Sequence, residues 1–453
     1  MLVAGYPRDM EVSESTRSGE EDSGPSVARP VVTILAPFAA SPAHLGHRRA
    51  TRFSRWLHAA GYEVVIIGAG SSSIETSSDV SVRDPIGVWP RLRPEPALAP
   101  PRPQRRGLGV ARRVLIPDPS VVWALRAASS WAAHKAAKTS SILISTGPPE
   151  SPHLAASLLS RTHGVPHLMD YRDGWLDEPL KEEIRSRGPR RSAEAALEAW
   201  ALRNASVVTV TSDVWGQELS ARHPWVNGRL RTITNVIPAD YRPDATRGEI
   251  GLMPRLVYAG RLSGSRHCQS AGVLLNLLRL EARLSPSSFE VLFVGALCAD
   301  EIAEIGRFRA EVSSFGWVVR HKPHCDYQSA LTEVAQADGL LLTSASNGAI
   351  PSKLYDYLAT GRPILCLATR GSAAWNVCSG LDQVWAIDPS EPEGRFGFCT
   401  FATRPGRFKE PEEFGEVHVS GKFVELVNHT VRFALSKKYS EDPHSRGDRC
   451  DRA

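Results

Sequence analysis

Residues 350–365, IPSKLYDYLATGRPIL, carry two periodicities back to back. Leu354, Tyr357 and Leu358 recur at helical spacing, while Lys353, Asp356 and Thr360 share another face. Pro351 suits a first helical position, where its missing N–H is no loss, and Gly361 supplies the stop. RPILCLA (362–368) then runs without alternation, and GLLLT (339–343) upstream does the same. Unbroken apolar runs of strand length belong to interior strands of parallel sheets covered on both faces. The chain is thereby confined to an α/β architecture in which strand, loop and helix repeat.

Such a unit also makes a binding site. A strand that enters a helix through a loop of small residues brings unpaired N–H groups and the positive end of the helix dipole to one place, which suits phosphate. Gly348, Ala349, Ile350, Ser352 and Lys353 occupy that place. Asp356 lies more than one turn inside the helix, too deep to cap it, where it can accept hydrogen bonds from the sugar hydroxyls of a nucleotide. The competing interpretation is an ordinary crossover helix with a Lys353–Asp356 surface pair.

The pattern recurs along the chain. VVTILAPF (31–38) is a first buried strand, and a loop with Gly46 and His47 leads into a helix with Ala50, Phe53, Leu57 and Ala60 inward. Arg48, Arg52 and Arg55 line its outer face. YEVVIIG (62–68), SILIS (141–145), VPHLMDY (165–171), VVTV (207–210) and RLRTITN (229–235) continue the first half. Residues 85–119 interrupt it with nine prolines and a run of arginines, followed by a helix expected over about 119–138. Arg102, Arg105, Arg106, Arg112 and Arg113 could meet anionic lipid or a phosphate-bearing acceptor, or simply be solvated. Residues 235–254 read as a linker. RLVYAGR (255–261), FEVLFVG (289–295), WVVRH (317–321), the two runs above and QVWAI (383–387) build the second half.

Loops after parallel strands line the crevice where ligands bind. His153, Arg172 and Asp173 are cleft candidates on that ground. His153 could equally pack under a loop, and Arg172 with Asp173 could be a bracing ion pair. His321 and His324 have no further ligand at metal spacing, and no metal site is expected. A net charge of +5 over 453 residues implies no nucleic-acid partner. Seven scattered cysteines fit reduced thiols in a cytoplasmic protein. No stretch has the length of a signal peptide core or a membrane span, so a soluble or peripherally bound protein is expected.

Residues 141–175 and 350–365 resemble the family-4 glycosyltransferases, retaining enzymes that use nucleotide-activated sugars. The first stretch is similar to a subgroup in which a proline-proline loop precedes an aspartate-arginine-aspartate strand end, here Pro148, Pro149 and Asp170 to Asp173. In the second, the family places two glutamates with seven residues between them. Asp356 stands at the second position, which holds the donor ribose, and Gly348 stands at the first, with no carboxylate. The resemblance implies that Arg261, with Arg266 near the place of a family lysine, contacts the donor diphosphate. It further implies that the loop at His324 meets the nucleobase.

The implied fold is α/β, with two facing doubly wound Rossmann-like domains (the type B glycosyltransferase fold) and a C-terminal helix packing back on the first. The expected divisions are a disordered segment 1–29, an acceptor-side domain 30–234, a donor-side domain 235–415, a helix 416–436 and a disordered tail 437–453. The implied activity is metal-independent transfer of a sugar from a nucleotide-diphosphate donor, with retention, in cell-envelope or polysaccharide synthesis, and with no cofactor. His153, Arg172 and Asp173 are its catalytic candidates, and Gly46, His47 and Arg48 its acceptor side. The acceptor is a saccharide, a lipid-linked sugar or a small molecule, with peripheral contact to an anionic membrane. A nucleotide-sugar epimerase of the same architecture, or a binding protein without turnover, are the alternatives.

Overall fold

The apolar runs form two all-parallel sheets. The first contains β1 (Val31–Leu35), β2 (Glu63–Gly68), β3 (Val80–Ser81), β4 (Ser140–Gly147), β5 (His167–Tyr171), β6 (Val207–Val210) and β7 (Leu230–Thr232), in the order β3-β2-β1-β4-β5-β6-β7. The second contains β8 (Arg255–Ala259), β9 (Glu290–Val294), β10 (Val318–Lys322), β11 (Gly339–Ser344), β12 (Ile364–Ala368) and β13 (Val384–Ile387), in the order β10-β9-β8-β11-β12-β13. The computed structural model describes residues 29–39, 45–70, 79–86, 111, 113–176, 188–241, 253–260, 262, 269–284, 287–323, 326–344, 346–391, 397–404 and 408–440.

Each sheet is covered on both faces, which explains the unbroken apolar runs. In the first, Val32 and Ile34 join one core cluster while Leu35, Ile67 and Leu143 join another. In the second, Leu341 and Leu365 face one helix layer and Leu340, Leu342 and Ile364 the other. Both sheets reverse direction at the strand that opens them. β1 sits between β2 and β4, and β8 between β9 and β11. At such a switch point the flanking loops part and leave a crevice beyond the carboxyl ends of the strands. The fold therefore offers two crevices.

The helix Glu416–Ser440 returns to the first sheet. Val419, Phe423, Val427 and Val431 follow at helical spacing and enter the cluster built on β1 and β2. Phe423 stacks on Phe53, with ring centroids 4.0 Å apart. Burial of each such side chain stabilises by about 1.5–3 kcal/mol. Glu416 anchors the helix start, accepting from Trp56 Nε1 at 2.7 Å and from Arg55. The helix continues past the expected boundary at 436, because no breaker occurs before Pro443.

Two helices differ from expectation. The one expected over 119–138 is split into Val121–Ser129 and Trp131–Thr139 by Ser130, whose extended backbone (ψ 127°) interrupts the ladder. The one expected to begin at Pro351 begins at Lys353 and ends at Leu358. Its start is a tight turn closed by Leu354 N–H to Pro351 O and Tyr355 N–H to Ser352 O.

Candidate functional site

The crevice of the second sheet is open. A cavity of about 330 Å³ lies beyond β8 and β11, lined by Tyr258, Gly260, Ser352, Lys353, Asp356 and, from the first half, Arg48. Its geometry follows from how the short helix Lys353–Leu358 is tied to the end of β8. Lys353 Nζ donates to Ala259 O at 3.1 Å and lies 3.7 Å from the centre of the Tyr258 ring. The Ala259 amide donates to the Tyr357 hydroxyl at 2.9 Å. An ammonium group is thus held at the end of the strand, beside the Gly260 backbone.

Asp356 is partly buried in the wall of this cavity and accepts the Tyr327 hydroxyl at 2.7 Å. Burial pushes its carboxyl above the usual carboxylate range, against the pull of that hydroxyl and of the Arg48 and Arg52 charges. Arg48, expected on the acceptor side, stands over the Tyr327 ring at 3.1 Å from its centre. Arg52 also faces Asp356, and desolvation lowers its pKa. The face of the first helix taken as outer therefore faces the other half of the molecule. The helical spacing was right; what lay opposite was another domain rather than solvent.

Loop residues before the short helix meet the first half directly. Ser212 Oγ donates to Gly348 O at 2.6 Å, and the Asn347 side-chain amide donates to Glu218. Ala349 is buried in a cluster with Trp215 and Leu219, and Ile350 in the second half's own core.

The crevice of the first sheet is closed by its own side chains. Arg49 meets Asp170 with two hydrogen bonds of 2.8 Å, and Asp170 also accepts from Thr146 at 2.7 Å and Thr209 at 2.8 Å. Burial opposes ionisation of Asp170, but the Arg49 charge and these four bonds hold its pKa below the usual value. Arg49 further donates to Ile233 O, Thr234 O and Asn235 Oδ1, which fixes the start of the linker. Beside it, Ser145 Oγ lies 2.7 Å from both His153 Nδ1 and His167 Nε2. Ser145 has one proton to give, so at least one ring donates to it. Burial depresses His153 to about 4 and His167 to about 3, and both are neutral.

His153 is thus enclosed beneath the loop after β4 rather than open to a cleft. Arg172 is buried, 3.7 Å from Asp173 and 3.4 Å from Pro148 O, while the Asp173 side chain is 38% exposed. His47 Nδ1 donates to Ala39 O at 2.6 Å, and Gly46 is buried beside it. Arg261, Arg266 and His324 lie outside the described residues, as do Arg102, Arg105, Arg106 and Arg112; Arg113 is exposed. Among the described residues no three His, Cys, Asp or Glu side chains gather as metal ligands, and no helix is long and apolar enough to cross a membrane. Arg49, Tyr327 and Trp215 were not singled out from sequence. For Tyr327 a signal existed, an aromatic residue at the start of the helix that follows β10.

Residues 46–235 match the model of the glycosyl transferase 4-like domain. No curated protein matches the chain in sequence. Among solved structures, a glycosyltransferase from Rickettsia africae superposes with a TM-score of 0.52 at 13% identity, over 91% of this chain and 97% of that one. Anabaena HepE, solved with UDP and glucose, gives 0.53 at 12%, over 88% and 100%. The lipopolysaccharide outer core galactosyltransferase WaaB gives 0.54 at 11%, over 88% and 99%. Residues 46–235 thus resemble a glycosyl transferase 4-like domain, and the chain has the two-domain architecture of the type B glycosyltransferase fold.

Proposed function

We propose that the protein transfers a sugar from a nucleoside-diphosphate sugar to an acceptor, with retention of configuration and without a divalent metal. The observation that carries this reading is the open cavity at the β8/β11 switch point, with Lys353 and Asp356 on one wall. As the bond from the sugar carbon to the leaving phosphate breaks, negative charge grows on the diphosphate. The Lys353 ammonium and the Gly260 backbone stand where that charge can be met, with Arg261 and Arg266 assigned to it as well. Asp356 takes the ribose hydroxyls in place of the Tyr327 hydroxyl. The loop at His324 takes the base. UDP, present in the HepE structure, is the first nucleotide to try.

On the acceptor side, Asp173 is the exposed member of the proposed catalytic set, Arg172 holds its loop, and His153 supports that loop from beneath. Gly46 and His47, in the first turn of the helix that carries Arg48, are assigned to the acceptor as well. Retention rests on the family resemblance and has the acceptor attack on the face the diphosphate leaves. Peripheral contact with an anionic membrane is proposed for the exposed Arg113, Arg126, Lys135 and Trp131, which suits a lipid-linked acceptor. A second reading, a nucleotide-sugar-binding protein without turnover, is favoured by one feature: position 348 lacks a carboxylate.

The test is product analysis by NMR after incubation with a panel of nucleotide sugars, with chelator present, with and without candidate saccharide or lipid-linked acceptors. Transfer predicts acceptor-dependent release of nucleoside diphosphate. Altered sugar without acceptor would mean an epimerase, and nucleotide binding without product a binding protein.

A further inference from the structure

Trp215 stands in the first turn of the helix Asp213–Arg222 and is 4% exposed. Its indole lies between two glycines from opposite halves of the molecule. A side-chain carbon at Gly174, after β5, would sit 2.2 Å from Trp215 Cη2, and one at Gly348, after β11, 2.5 Å from Cδ2. Carbons do not approach so closely, and a buried indole cannot swing aside as a flexible chain end would. Both positions are therefore kept without a side chain so that the ring can enter. The surrounding contacts join the same elements. Ser212 caps the helix, its Oγ accepting the Trp215 backbone N–H at 3.1 Å and donating its hydroxyl to Gly348 O at 2.6 Å. Trp215 Nε1 is buried without a hydrogen-bond partner among the described residues, and the ring is seated by packing.

We propose that Trp215 is a positioning residue for the donor site. Seated in its glycine socket, it fixes the loop 346–350 against the first half. That loop leads through Pro351 into Ser352 and Lys353, which line the cavity although Trp215 does not. The socket thus sets where the ammonium of Lys353 stands, and a nucleotide senses the indole only through the loop. The choice of nucleotide binding as a readout rests on the donor reading above.

The experiment compares the full-length protein with Trp215→Ala, Trp215→Phe, Gly348→Ala and the Trp215→Ala/Gly348→Ala double variant, by hydrogen exchange and by UDP titration calorimetry. Trp215→Ala should speed exchange across 346–353 by about tenfold or more while β1 and β9 stay protected. UDP affinity should fall about fivefold or more. Gly348→Ala should reproduce both effects, since methyl and indole cannot share the socket. In the double variant it should add nothing to Trp215→Ala. Trp215→Phe should restore most of the protection and affinity. Wild-type exchange in Gly348→Ala, or additive effects in the double variant, would overturn the socket. A loosened loop with unchanged UDP affinity would overturn the positioning role. If no nucleoside diphosphate binds the wild-type protein, the donor reading fails, while the exchange comparison still upholds or overturns the socket.

Discussion

The two switch points share a topology and have been put to opposite use. At the first switch point buried polar side chains pair with one another: Asp170 accepts from Arg49, Thr146 and Thr209, and Ser145 bonds two neutral histidines. Between β8 and β11 the equivalent space is open, and its polar groups face a cavity. Topology provides the crevice; side chains decide whether it becomes core or site. The closed crevice should therefore govern stability, and the open one affinity.

The largest effect is expected from breaking the closed network. Arg49→Met leaves the Asp170 carboxylate buried and uncompensated, which costs about 3–5 kcal/mol. It also frees the start of the linker. A small drop in the denaturant midpoint would show that the network is dispensable.

Acid should act on the same crevice. His153 and His167 stay neutral when folded, at about 4 and about 3, whereas in the unfolded chain each binds a proton below its ordinary 6.5. The unfolded state therefore holds more protons between pH 6.5 and 4, and stability falls as pH drops through that window. Each histidine contributes about 3 kcal/mol by the bottom of it. Unfolding curves across that range, in wild type and His153→Asn, measure the effect; the variant should lose the smaller part of the slope.

The open crevice should respond in the opposite way. Asp356→Ala removes a charge-assisted acceptor, weakening UDP binding by about 1.5–3 kcal/mol and leaving the fold intact. Because the Asp356 pKa is raised by burial, its ionised form is a net cost to the unliganded fold at neutral pH. Asp356→Asn should accordingly raise the melting temperature at pH 7, with the gain shrinking as pH falls and the wild-type carboxyl takes up its proton. The smallest effect belongs to Tyr327→Phe, which deletes the hydroxyl that occupies Asp356. A change of about 0.5–1.5 kcal/mol in UDP affinity is expected, measured by calorimetry.

Much of the scaffold could be read from residue order, because a parallel strand covered on both faces leaves an unbroken apolar run; Gly361, with φ +63°, turns the chain shortly after its helix ends at Leu358. The open cavity was legible for a related reason: Ser352, Lys353 and Asp356 lie within one short stretch whose local geometry brings them together. The closed crevice was not. Arg49 sits among four arginines at nearly equal helical credit, and its carboxylate lies 121 residues away. Helical spacing says which residues share a face and is silent on what that face meets, so Arg48 was assigned to the acceptor and stands over Tyr327. Gly348 read as a missing carboxylate; the indole that fills its place comes from the other half of the chain. The break at Ser130 likewise had no local signal, since neither glycine nor proline marks it.

The most direct test titrates UDP, GDP, ADP, CDP and TDP into wild type, Asp356→Ala and Asp173→Asn, with nucleotide affinity as the readout. One nucleoside diphosphate should bind wild type, bind Asp356→Ala about tenfold or more weakly, and bind Asp173→Asn unchanged. Absence of binding by all five, or equal loss in both variants, would contradict a donor site at the open crevice.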